Sequence, residues 1–91
     1  MAIKVKIPSQ LRAAAGGATE AEVQGGTVRE ALDALFEQHA DLRDRLSDED
    51  GGLRRFVNVY VGDEDIRFSD GLDTPVNDGD ELRILPAVAG G

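Results

Sequence analysis

Cysteine is absent from this chain. Disulfides, iron–sulfur clusters, thiolate metal sites and a cysteine nucleophile go with it. The absence also suits a reducing compartment. Histidine occurs once, at His39. It falls near an expected helix end, where exposed carbonyls favour a cation, and no partners for a catalytic or metal role stand out in the sequence. Basic charge is scarce: 10 Lys and Arg face 18 Asp and Glu, a formal net charge of −8. That balance argues against nucleic acid, whose phosphates demand a basic footprint, and disfavours an anionic membrane surface. It suits basic partner surfaces, and it also serves plain solubility. No apolar stretch approaches membrane-spanning length, and the opening residues alternate charged and apolar side chains rather than forming a signal peptide. The expectation is one soluble cytoplasmic domain, with a small core for its 91 residues.

What is present reads as alternating strands and one amphipathic helix. Ile3, Val5 and Ile7 share one side of a first strand, with Lys4 and Lys6 on the other, and Pro8 ends it. Leu11 to Gly17 reads as a loop with a turn at Gly16-Gly17, and a second strand follows over 18–23. Thr27 and Glu30 have capping-box spacing. Val28, Ala31, Leu32, Leu35 and Phe36 then recur on one helical face, which fades near His39. Leu42 and Leu46 suggest a further short turn of helix, and 47–52 a surface loop. Residues 56–61 form the strongest strand, with Val57, Val59 and Val61 on one face and Phe56, Asn58 and Tyr60 on the other. A short strand is expected over 66–68 and the last over 81–85. Gly62, Gly71 and Gly79 mark the turns, and Pro75 blocks a regular central strand. One helix and a mixed sheet of about five strands must share the apolar core. The expected class is therefore α+β, a β-grasp in which the helix crosses one face of the sheet and the first and last strands are parallel central neighbours. It spans 1–86, followed by a tail over 87–91.

Two segments carry a resemblance. One is the terminal Leu82-Arg83-Ile84-Leu85-Pro86-Ala87-Val88-Ala89-Gly90-Gly91. The other is Arg55-Phe56-Val57-Asn58-Val59-Tyr60-Val61, continued by Asp63-Glu64-Asp65-Ile66-Arg67-Phe68. With these the chain resembles the ThiS/MoaD sulfur carriers, relatives of ubiquitin, and within them the actinobacterial CysO type that serves cysteine synthesis. The resemblance covers the whole chain in element order and length. A glycine pair alone is weak, since such pairs recur here. One that follows the last strand of a β-grasp is specific.

The resemblance implies a cosubstrate rather than an enzyme. An E1-like adenylyltransferase would use ATP to adenylate the Gly91 carboxylate, and a sulfur donor would convert it to a thiocarboxylate, a good nucleophile at neutral pH. Gly90, Ala89, Val88 and Ala87 would thread the activating enzyme's slot, being small and uncharged, and Pro86 would stiffen the exit. The free tail is expected to be mobile, because it buries almost nothing. Family docking through the sheet face carries over to Phe56, Tyr60, Arg83 and Leu85; coverage of Phe56 or Tyr60 by the 40–55 region is the plain alternative. The implied acceptor is a pyridoxal-phosphate cysteine synthase, with a metalloprotease releasing the product; thiosugar, thiamin and molybdopterin pathways share the logic. Two rival readings stay open, a ubiquitin-like protein modifier and a non-covalent β-grasp adaptor.

Other signals are discounted. Asp48-Glu49-Asp50 and Asp63-Glu64-Asp65 lack the EF-hand pattern. Gly25-Gly26 precedes a helix but lacks the spacing and lysine of a P-loop. Ser9, Ser47 and Ser69 have no histidine close in sequence. No metal site and no intrinsic cofactor are expected.

Overall fold

The computed structural model describes residues 2–47, 52–54 and 57–86. Among these residues five strands form one sheet: β1 Ala2–Lys6, β2 Glu20–Gln24, β3 Val57–Val61, β4 Glu64–Asp65 and β5 Glu81–Pro86, in the order β2-β1-β5-β3-β4. β1 and β5 run parallel, with Val5 beside Leu82, and the other neighbours are antiparallel. The expected central parallel pair is thus present. The reason is visible in the side chains: Ile3, Val5, Leu82 and Ile84 are all almost fully buried, as strands in the middle of a sheet demand.

Helix α1, Val28–Gln38, covers the inner face with Val28, Ala31, Leu32, Leu35 and Phe36, all buried. Its start is over-determined. Thr27 Oγ1 accepts from Glu30 N at 3.2 Å, while Glu30 Oε1 accepts from Gly26 N at 2.7 Å. The carboxylate reaches one residue further back than a standard capping box. Residues 74–76 brace the same turn, since Val28 N donates to the Thr74 carbonyl at 3.0 Å and Val76 N to that of Gly26 at 3.0 Å.

Four details differ from the expectation. A second helix, α2 Ala40–Leu46, follows His39 directly and buries Leu42 and Leu46, so two helices rather than one share the core. Residues 9–15 are two single 3₁₀ turns, Ser9–Leu11 and Ala13–Ala15, which bury Leu11 and Ala15, and only Gly16 and Gly17 make the turn, at φ 66° and 89°. β2 begins at Glu20 rather than at residue 18. The short fourth strand is Glu64–Asp65, and Ile66–Phe68 is a 3₁₀ turn, because the Asp65 side chain caps the Arg67 amide.

Candidate functional site

The expected docking face is the outer side of the sheet. Alternation along β3 turns Val57 and Val59 inward and Asn58 and Tyr60 outward; along β5 it buries Leu82 and Ile84 and presents Arg83 and Leu85. Register then assembles the face. Tyr60 lies beside Arg83, Asn58 beside Leu85, and Arg83 beside Lys6 on its other flank. Leu85 is 46% exposed, a large apolar side chain set among polar neighbours. Of the four residues assigned to docking, Tyr60, Arg83 and Leu85 are therefore brought together. Phe56 lies outside the described residues.

The charges around this patch are tied in pairs. Arg83 Nε donates to Glu81 Oε2 at 3.0 Å. Lys4 and Lys6 reach the same carboxylate of Glu20, at 3.3 and 3.5 Å. The hydrogen bond from Lys4 is the main cause that holds the Glu20 carboxyl below the ordinary glutamate range; the charges of both lysines add to it, and partial desolvation opposes it. The outer face is thus less acidic than the molecule as a whole.

β5 ends at Pro86, which pairs with Val57 of β3, and parallel pairing with β1 has already stopped at Arg83. β5 thus ends one residue beyond Leu85, at the margin of the patch that this side chain shares with Arg83 and Tyr60. Gly91, Gly90, Ala89, Val88 and Ala87, with their expected mobility, lie outside the described residues.

The sequence reading missed Phe68. Its ring is 83% exposed on the 3₁₀ turn after β4. With Tyr60 it walls an open hollow of about 500 Å³. The available signal was Asp65 two residues before Arg67, the spacing at which an aspartate side chain closes a turn on its own backbone. Among the described residues, no three His, Cys, Asp or Glu side chains converge as metal ligands, and no helix is long and apolar enough to cross a membrane.

Comparison with known proteins gives this geometry its setting. Residues 5–91 match the ThiS family. The sulfur carrier protein CysO of Mycobacterium tuberculosis is 45% identical over 93 residues, covering 100% of both chains. Among solved structures, the CysO of the Amycolatopsis orientalis BexX/CysO complex superposes with a TM-score of 0.90 at 52% identity, covering 98% of this chain and 99% of that one. SAMP1 of Haloferax volcanii, a small archaeal modifier protein, superposes with a TM-score of 0.87 at 32% identity over 100% of both chains. A ubiquitin-like β-grasp sheet, its central parallel pair and a sequence match running through Gly91 agree, and the chain belongs to the ThiS family.

Proposed function

We propose that this protein carries sulfur on the carboxylate of Gly91. A carboxylate oxygen attacks the α-phosphate of ATP in an E1-like activating enzyme, and pyrophosphate leaves. A sulfide-level donor then attacks the acyl carbon, and AMP leaves with the carboxylate oxygen it had acquired. The product is a thiocarboxylate whose sulfur attacks an electrophilic acceptor. The protein is a cosubstrate in this scheme. A pyridoxal-phosphate cysteine synthase is the proposed acceptor and a metalloprotease the proposed releasing enzyme.

The observation that carries the reading is the full-length similarity to a sulfur carrier protein, with a family match that includes the Gly90-Gly91 end. The fold supports it physically. Leu85 stands one residue before the end of β5, with Arg83 and Tyr60 behind it on the same face, so one partner that grips the sheet face can also receive the residues that follow Pro86. Ala87, Val88 and Ala89 offer little bulk to obstruct a narrow slot.

The test is intact mass spectrometry of the protein after incubation with its host's activating enzyme, ATP and a sulfide source. The expected result is a gain equal to one oxygen-for-sulfur exchange, placed on Gly91 and lost when Gly91 is deleted. An unchanged mass beside an enzyme proven competent on another carrier rejects the proposal. The likeness to an archaeal modifier protein favours a second reading, in which the same activated carboxylate joins lysines of other proteins. Covalent adducts that survive denaturation and require Gly91 would mark that outcome.

A further inference from the structure

Phe68 has no structural role in the core, yet it is held firmly. Asp65 caps its turn by accepting from Arg67 N at 2.9 Å, and the Arg67 guanidinium clamps the same carboxylate at 2.8 Å. Ser69 Oγ donates to Glu64 Oε1 at 2.9 Å, tying the far end of the turn back to β4. A single exposed apolar residue needs no explanation. A phenylalanine 83% exposed on a turn bonded at both ends, lining the same hollow as Tyr60, does.

The hollow is lined by Tyr60, Val61, Asp63, Glu64, Asp65 and Phe68. Its lining combines two aromatic rings with three carboxylates. Asp65 is already neutralised by Arg67, the one basic residue of this turn. Asp63 and Glu64 have no ion pair among the described residues. Among the described residues β4 ends the strand order, and no strand pairs with its outer edge.

We propose that this hollow receives an arginine or lysine side chain from an extended segment of a partner protein. An aliphatic stem ending in a cation matches both halves of the site: the methylenes lie along the rings, and the charge sits between Asp63 and Glu64 with the ring faces adding cation–π attraction. A neutral apolar side chain would leave the carboxylates partly desolvated and unpaired, and an acidic one would be repelled. The net charge of −8 draws the same basic partner at longer range. The open edge of β4 lets the segment's backbone lie alongside while one side chain enters. Because the hollow begins at Tyr60, a protein seated on the outer sheet face is in reach of it.

The experiment is a titration of the full chain, followed through its backbone amide NMR signals, with an acetylated and amidated Gly-Leu-Arg-Arg-Leu-Gly peptide. Its counterpart with glutamate for arginine is the control. The expected shifts cluster at residues 60–69 and weaken as salt is raised. Phe68→Ala, and separately Asp63→Asn combined with Glu64→Gln, each weaken binding by about threefold or more. These side chains are exposed, and an otherwise unchanged amide spectrum verifies that the variants fold. Shifts centred on Lys4 and Arg83, equal response to the glutamate peptide, no response at millimolar peptide, or unaltered affinity in both variants would each overturn the assignment. Deleting Gly91 leaves the titration as it is, so this inference and the carrier reading fail separately.

Discussion

Asp65 is 5% exposed and gives both of its oxygens to one neighbour, Arg67. The side-chain hydrogen bonds from Arg67 are the main cause that holds its carboxyl below the ordinary aspartate range; the Arg67 amide and the guanidinium charge add to this, and desolvation opposes it. The same pairing raises Arg67 further above its already high value. A carboxyl depressed in the folded state stabilises the fold fully above its unfolded pKa of about 3.9 and stops doing so as pH falls through the folded value. Asp65→Asn keeps the acceptor for the Arg67 amide but removes the charge. Wild type should therefore melt above D65N at pH 7, and the gap should close below about pH 4. Thermal unfolding of both proteins across that range checks it, and a gap that ignores pH would mean the charge plays no part.

Gly25 makes a different kind of residue-scale demand. A Cβ built there would lie 2.8 Å from the Ala31 backbone nitrogen and 3.1 Å from the Glu30 carbonyl carbon. The end of β2 passes too close to the first turn of α1 for any side chain. Gly25→Ala should cost about 1–3 kcal/mol through overpacking, against backbone that cannot step aside. At Gly26 the added atom meets only the flexible end of Glu30, at 3.4 Å. Gly26→Ala should therefore cost clearly less in the same denaturation series. Equal losses would show that these contacts do not set the difference between the two positions.

At the scale of the element, α1 shows what a local signal can carry. The Thr27–Glu30 spacing located its first turn; Thr27 caps Glu30 N as expected, while the Glu30 carboxylate takes the Gly26 amide in place of that of Thr27. Thr27→Ala should cost about 1 kcal/mol in denaturant unfolding, since it orphans the Glu30 amide without touching the core. β1, β3 and β5 were legible for the same reason: one buried face writes a period of two into the sequence. The 3₁₀ turns over 9–15 and 66–68 write nothing comparable. They are single turns, set by contacts such as Leu11 and Ala15 reaching the core, or by the Asp65 cap. The outer face was legible as the other half of the strand alternation, which placed Tyr60, Arg83 and Leu85 together. Phe68 was not, because a short strand and a capped turn differ by one side-chain hydrogen bond, and only the turn leaves the ring exposed beside Tyr60.

At the scale of the whole molecule, the proposed function divides the work between a rigid body and a terminal carboxylate. The buried cluster of both helices and the inner sheet face fixes the positions of β3 and β5, and these two strands hold the outer patch, whose Leu85 stands one residue before the end of β5. Such a division predicts separable defects. Leu85→Asp puts a charge into the apolar centre of the patch but lies on the exposed side of β5, so the core should be unaffected and the melting temperature nearly unchanged. With the host's activating enzyme, its KM for the carrier should rise about tenfold, the 1.4 kcal/mol expected for losing an interface anchor, while kcat stays close to wild type. Deleting Gly91 should do the reverse, leaving association intact and abolishing adenylate formation. Pyrophosphate release against carrier concentration reads the first defect, and competition by the Gly91-deleted chain against the wild-type carrier in the same assay reads the second. Leu85→Asp acting on kcat alone would mean that the face does not dock and that the tail is held by contacts of its own.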